Sequence, residues 1–286
     1  MARVIVTGAG GQLGTDLVQG FTARGHEVMG FTRQTVDLTD GPGLGEAIRA
    51  SNPDIVINAA AYTAVDKAET DPRTAWQVNA FAPGFIAQAC EHVGARLVQV
   101  STDYVFNGLQ GRPWTEWDNT DPQSVYGASK LAGERQAAQY CSRTYIVRTS
   151  WVLGEHGNNF AKTMLRLGRS LDELSVVDDQ LGSPTFTVDL VDRIANILET
   201  EHYGTWHASN SGSCTWYELA RQIFTLADIT VDLAPTTTAA FNALAPRPAN
   251  SVLANMMADY LGLPAMPAWE DSLEVLLGRI TMEMAA

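Results

Sequence analysis

The sequence has no run of about eighteen apolar residues and no basic leader followed by an apolar core. Neither a membrane span nor a secretory signal is expected, and the cytoplasm is the expected compartment. Cysteine is scarce: Cys90, Cys141 and Cys214 are odd in number and widely spaced, which reads as isolated thiols and excludes a disulfide framework. The five histidines are scattered without a His-x-x-x-His pair, so no metal site of the zinc kind is expected. Basic residues are outnumbered, and the net charge of −13 argues against nucleic acid, whose phosphates need a basic face. An anionic small molecule stays open, because a few Arg and Lys side chains can hold a phosphate inside a site. The rest of the composition is ordinary for a folded chain, with 45% hydrophobic and 18% charged residues. At 286 residues it is long enough for one elaborated domain or two.

Two features carry chemistry. Arg3-Val-Ile-Val-Thr7 is a β-branched run of the kind that forms a buried strand, and Gly8-Ala-Gly-Gly-Gln-Leu-Gly14 follows it into a helical pattern of Leu13, Leu17, Val18 and Phe21. In such a strand–turn–helix unit Gly8, Gly11 and Gly14 tighten the turn, let backbone approach a pyrophosphate and let the helix pack closely. The helix N-terminus adds N–H groups and positive dipole. The second feature is Tyr126 and Lys130, four residues apart. On a helix from Ser124 to Tyr140 they share a face, with the ammonium beneath the phenol. A cation there is expected to lower the phenol's pKa from roughly 10 towards the neutral range. Alone, that spacing reads as ordinary helix packing; the glycine turn is what makes it a candidate site.

Along the chain, apolar runs alternate with helical patterns, the signature of a parallel sheet covered by helices. Strands are expected at Arg3–Thr7, Glu27–Phe31, Asp54–Asn58, Arg96–Ser101 and Tyr145–Thr149. Helices are expected at Gln12–Arg24, Gly43–Ala50, Pro72–Val93, Ser124–Tyr140, Asn159–Gly168, Thr187–Glu199 and Thr215–Ala227. Beyond about residue 150 the regularity falls, and 154–159, 182–185 and Leu233–Pro248 read as loops. The expected fold is α/β, a Rossmann-like doubly wound parallel sheet over residues 1–150 with a smaller substrate-binding α/β domain over 151–286. Part of about 185–207 is expected to return to the first sheet. Ligands of such sheets sit at the carboxyl ends of the strands, so Asn58-Ala-Ala-Ala61, Ser101-Thr-Asp103 and Thr149-Ser-Trp151 should face one crevice.

Thr7-Gly8-x-x-Gly11-x-x-Gly14, Asn58-Ala-Ala-Ala61, Ser101-Thr102-Asp103 and Tyr126-x-x-x-Lys130, in that order, resemble the extended short-chain dehydrogenase/reductase superfamily. Further strings narrow this to a resemblance to the dTDP-4-dehydrorhamnose reductases over nearly the whole chain. They are Ala64-Val-Asp-Lys-Ala-Glu69, Ser101-Thr-Asp-Tyr-Val-Phe106, Arg148-Thr-Ser-Trp151, Asn158-Asn-Phe-Ala-Lys162, Asp179-Gln-x-Gly-x-Pro-Thr185 and Arg247-Pro-x-Asn-Ser251.

The resemblance implies reduction of the C4 ketone of dTDP-4-dehydro-L-rhamnose with NAD(P)H. Tyr126 is then the proton donor, Lys130 the partner of the nicotinamide ribose, and Thr102 a hydroxyl on the carbonyl oxygen. It implies a cofactor set of Gly8, Gly11, Gln12, Leu13, Gly14, Arg33, Asp37, Leu38, Ala61, Tyr62, Thr63 and Val100 beside Tyr126 and Lys130. Phe31-Thr32-Arg33 stands where an NAD enzyme carries an acidic residue, so NADPH is favoured over NADH, with Arg33 on the 2′-phosphate. The sugar is expected among Thr102, Asp103, Tyr104 and Trp151. Its diphosphate is expected on Arg247, with Lys162 and Arg166 as alternatives.

Some relatives dimerise through magnesium on three acidic positions. Here Asp16 fits the first, Val188 with Asp189 beside it falls at the second, and the chain ends in residues 281–286, so the expectation is a monomer or a dimer without metal. Rival readings are a dehydratase, which carries Thr-Asp-Glu where this chain has Thr102-Asp103-Tyr104; a reductase or epimerase of a related deoxysugar; and a non-catalytic dinucleotide-binding regulatory subunit.

Overall fold

The β-branched segments become strands and the segments of helical period become helices laid over them. The computed structural model describes residues 1–285, with side chains through Ile280. The first half runs β1 (Arg3–Thr7), α1 (Gln12–Ala23), β2 (Glu27–Phe31), α2 (Gly41–Ser51), β3 (Ile55–Asn58), α3 (Val65–Thr70), α4 (Pro72–Trp76), α5 (Ala82–Val93), β4 (Arg96–Thr102), α6 (Val125–Tyr140) and β5 (Thr144–Thr149). The second half runs β6 (Val152–Leu153), α7 (Phe160–Gly168), β7 (Glu173–Val177), β8 (Leu181–Gly182), β9 (Thr185–Phe186), α8 (Thr187–Leu198), β10 (Gly204–His207), β11 (Cys214–Thr215), α9 (Trp216–Leu226), β12 (Asp232–Thr236), α10 (Thr238–Phe241), α11 (Met256–Tyr260) and α12 (Trp269–Ala285).

Six parallel strands form one sheet in the order β10-β5-β4-β3-β1-β2. The chain order reverses at β1, which pairs with β2 on one side and β3 on the other; that reversal opens a crevice at the carboxyl ends. Leu17 and Phe21 of α1 meet Leu190, Ile194 and Ile197 of α8 over one face of the sheet. Leu44 and Ile48 of α2 with Ile86 and Cys90 of α5 cover the other. Such side chains each contribute about 1.5–3 kcal/mol on full burial. A further apolar cluster lies under α7, α9 and α12, centred on Leu165, Leu219, Ile223 and Leu273. All three cysteines are buried and unbonded to one another. No helix among the described residues is long and apolar enough to cross a membrane.

Beyond short strands and helices added in the second half, four departures from the sequence expectations matter for the fold. The helix expected over Pro72–Val93 is interrupted by a π-helical turn at Gln77–Phe81. Pro83 has no N–H to give to the carbonyl of Asn79, so the ladder widens there. The buried Asn79 side chain takes up the space, bonding Tyr62 N, Tyr62 O and Ser129 Oγ at 2.8, 3.1 and 3.0 Å. The segment Val65–Thr70 is a short helix, seated by Asp66 and its contact with residue 247. Within Leu233–Pro248, read as a loop, β12 pairs in parallel with β7; Pro235 is tolerated because the two-stranded sheet leaves it an edge. Finally, α12 ends the chain, its Leu273, Leu276, Leu277 and Ile280 buried at helical spacing.

Candidate active site

The glycine turn is built by close backbone approach. Gly8 adopts φ +70°, and a Cβ there would stand 2.8 Å from the backbone of Ala60. Helix α1 begins at Gly11 with no side-chain cap, whereas α2, α6, α7 and α9 are capped by Asp40, Ser124, Asn159 and Thr215. Its first-turn N–H groups have no side-chain cap, and an anion suits that end of the dipole. From this turn a cleft of about 840 Å³ runs past Arg33, Asp37 and Leu38 to Ala61 and Tyr62. That is the size of a cofactor cavity. The residues present therefore fit a dinucleotide, and the glycine turn and Arg33 are the groups there that would hold its phosphates.

Not every residue expected in that set faces the cleft. Leu13 is buried in the core, so only its backbone is free to contribute. Gln12 is committed elsewhere: its Nε2 donates to Val152 O at 2.9 Å, and its Oε1 accepts from Asn159 Nδ2 at 2.7 Å. It thereby ties the loop after β6 to the glycine turn. Thr63 is exposed and stands outside the cleft lining. Asp37 accepts from Thr39 N and Thr39 Oγ1, both at 2.8 Å, and these bonds hold its carboxyl below the usual range. The Val100 carbonyl accepts Lys130 Nζ at 2.7 Å.

At the carboxyl end of β4, Thr102, Asp103 and Tyr104 turn in front of the N-terminus of α6, where Ser124 accepts from Gly127 N and starts the helix. Tyr126 and Lys130 lie one turn apart on α6 and are both buried. The Tyr104 ring meets Tyr126 edge-on, with centroids 5.4 Å apart. Burial pushes the Tyr126 phenol up to about 12, against the downward pull of the Thr102 hydroxyl. This corrects the expectation of a depressed phenol: loss of solvent, with the Asp103 carboxylate acting in the same direction, outweighs the Thr102 hydrogen bond. Burial likewise pulls the Lys130 ammonium down to about 8, with Glu134 opposing. Asp103 accepts from Thr102 Oγ1 at 2.9 Å, while its Oδ2 is buried without a hydrogen-bond partner. Burial raises that carboxyl to about 6, opposed by the nearby Ser251 and Thr102 hydroxyls.

A smaller cavity of about 200 Å³ adjoins Tyr104, between Phe106, Gln123 and Arg247. Arg247, expected on a diphosphate, is closed on Asp66 in two bonds of 2.7 and 3.1 Å. Trp151 sits in left-handed backbone at φ +45° and stacks on Trp216 with centroids 3.5 Å apart. A strained non-glycine residue of this kind is held by its surroundings, here by stacking and by Gly182, which leaves room for the indole. Trp216, Asn79 and Asp66 are site-supporting residues that sequence reasoning assigns no role. Asp66 lies within a quoted string, but nothing local marks the other two. At the positions considered for magnesium, Asp16 faces His156 Nε2 at 3.5 Å, and Asp189 accepts from Asn210 and Ser272 at 2.7 and 2.6 Å. The side chains of 281–286 lie outside the described residues.

The model of the RmlD substrate binding domain matches residues 2–282. A dTDP-4-dehydrorhamnose reductase of Streptomyces griseus is 42% identical over 288 residues, covering 97% of this chain and 95% of that protein. The crystal structure of a dTDP-4-dehydrorhamnose reductase from Clostridium acetobutylicum superposes with a TM-score of 0.96 at 41% identity, covering 98% of this chain and 100% of that one. That of the Bacillus anthracis dTDP-4-dehydrorhamnose reductase, in complex with NADP, gives 0.94 at 42% identity, covering 96% and 98%. By sequence over nearly its whole length and by fold, the chain belongs to the family of the RmlD substrate binding domain, alongside the dTDP-4-dehydrorhamnose reductases.

Proposed function

We propose that the protein reduces the C4 ketone of dTDP-4-dehydro-L-rhamnose to dTDP-L-rhamnose with NADPH. The observation that carries this reading is the buried Tyr126 phenol, held protonated beside Thr102 in a cluster that packs against Tyr62, a residue lining the cleft that fits a dinucleotide. NADPH, when bound, supplies the hydride. Tyr126 donates the proton to the C4 oxygen, Thr102 Oγ1 holds that oxygen, and Lys130 bonds the ribose and fixes the cofactor relative to the phenol. A phenol raised to about 12 stays protonated at neutral pH and lies nearer an alkoxide in basicity, which suits it to donate to a ketone being reduced. Elimination of water needs a base where Tyr104 stands, and burial raises that phenol too, so it is no base.

In this reading Asp103, Tyr104 and Trp151 surround the sugar. Arg247 meets the diphosphate by exchanging Asp66, whose side chain is 47% exposed and free to turn to water. Residues 1–150 with the returning α8 and β10 hold the cofactor, and the rest of 151–286 holds the substrate. The free buried cysteines suit the cytoplasm. The protein works as a monomer or as a dimer without metal.

The assay is NADPH oxidation, followed by absorbance, with dTDP-4-dehydro-L-rhamnose and a panel of other dTDP-4-keto sugars. Turnover is expected with the rhamnose precursor. Cofactor binding without oxidation of any of these sugars would overturn the reading and favour a regulatory subunit. Arg33, exposed at the rim of the cleft, gives a second prediction. Arg33→Ala is expected to raise the KM for NADPH about tenfold and to leave that for NADH nearly unchanged, since the lost contact is with the 2′-phosphate. Equal changes for both cofactors would remove Arg33 from that role.

A further inference from the structure

Glu134 stands one turn beyond Lys130 on α6, and both side chains are less than 5% exposed. Lys130 Nζ donates to Val100 O on β4. Glu134 Oε1 accepts from Ser101 Oγ, the next residue of β4, at 2.5 Å and from Arg148 Nε at 2.9 Å; its Oε2 accepts from Arg148 Nη2 at 2.7 Å. Two side chains of one helix face thus grip two successive residues of the strand that ends in the site. Tyr126 of α6 itself, Thr102 and Asp103 at the end of β4, Arg148 of β5, and Glu69 of α3, which accepts from Val125 N, also border this part of the helix. Asp103 is tied to Thr102 and Glu69 to the helix start, which leaves Glu134, paired with Arg148, as the buried carboxylate one turn from Lys130 on the same helix face.

We propose that Glu134 is a positioning residue for Lys130: its buried carboxylate keeps the ammonium charged and fixed to β4 through the working pH range. This rests on the reductase reading. The geometry gives the direction of the effect. Burial alone drives an ammonium towards its neutral form, and an anion one helical turn away opposes it. A charged Lys130 is present below its pKa and lost as pH rises through it, so removing Glu134 moves that loss to lower pH.

The test is kcat/KM for NADPH oxidation with dTDP-4-dehydro-L-rhamnose from about pH 6 to about pH 10, beside NADPH affinity by fluorescence over the same range. In Glu134→Gln the alkaline limb of both profiles is expected to move down by about one unit. Glu134→Asp, which keeps the charge, should restore most of that shift. Glu134→Gln strands Arg148 without an anion, so Glu134→Met combined with Arg148→Met, which removes both charges, is measured beside it; its limb should move down by less than that of Glu134→Gln, because the repulsion from Arg148 is removed with the attraction of Glu134. A wild-type profile flat beyond about pH 9.5, or an unmoved limb in the variants, overturns the proposal. If the wild type binds NADPH but turns over no sugar, the reductase reading fails instead, and the pH dependence of NADPH binding still decides the role of Glu134.

Discussion

Replacing Tyr126 with Phe is expected to lower kcat by about a thousandfold and leave NADPH affinity within about twofold of the wild type. The substitution removes one oxygen. The ring keeps its edge-on contact with Tyr104 and its place among Ala68 and Ala75, so neither α6 nor the cleft has reason to move. On the proposed mechanism, what is lost is the proton that must reach the C4 oxygen as hydride arrives. Thr102 does not replace it: an alkyl hydroxyl can hydrogen-bond the C4 oxygen but is a far weaker acid than a phenol. Steady-state kinetics with an NADPH fluorescence titration separate the two effects. A variant that retains more than a tenth of the wild-type kcat would falsify the assignment of Tyr126 as the acid. An equal loss of NADPH affinity would mean that the residue shapes the cleft instead.

The second large effect is expected at Gly14. A Cβ there would stand 2.0 Å from Gly8 O, 2.7 Å from Gly8 C and 2.9 Å from Ala9 Cα, all backbone atoms of the turn beneath the cleft. No side chain is available to swing aside, so the turn itself has to be displaced from α1. Gly14→Ala is therefore expected to weaken NADPH binding about a hundredfold, since the N–H groups facing the pyrophosphate are carried by that turn. Strain of this kind costs about 1–3 kcal/mol, which lowers Tm by roughly 5 °C in a chain of this size. Gly10 is the internal control. A Cβ there meets only Thr32 Cγ2 at 3.9 Å, so Gly10→Ala should bind NADPH nearly as the wild type does. Calorimetric titration of both variants decides the matter, and a Gly14→Ala affinity within about threefold of wild type would remove the close-approach argument.

These expectations draw unequally on the sequence. The turn was legible because strand, glycine spacing and helix are contiguous, and each signal is local. Tyr126 and Lys130 were legible because four residues on a helix make neighbours wherever the helix lies. By the same spacing Glu134 could have been found, since it repeats the step from Lys130. The helical pattern of Leu273, Leu276, Leu277 and Ile280 was equally open to reading. The π turn was not, because Pro83 is compatible with either a helix start or a helix interruption, and the choice was made by Asn79 reaching Tyr62 and Ser129. Nor was the closure of Arg247 on Asp66, made across 181 residues, or the stacking of Trp151 on Trp216.

The sequence by itself determined the alternation of strands and helices, the glycine turn and which side chains are candidates for the reaction, because those follow from local period, backbone freedom and chemical type. The tertiary structure decided how those side chains behave. Spacing predicted a phenol lowered by its neighbouring ammonium, yet burial raises Tyr126 to about 12 and lowers Lys130 to about 8. The reason is that desolvation depends on everything packed around a group, and here that shell comes from β4, from Ala68 of α3 and Ala75 of α4, and from the segment of residues 102–104 as well as from α6 itself. Pattern along a chain places charges next to one another; only the folded packing sets how much water they lose.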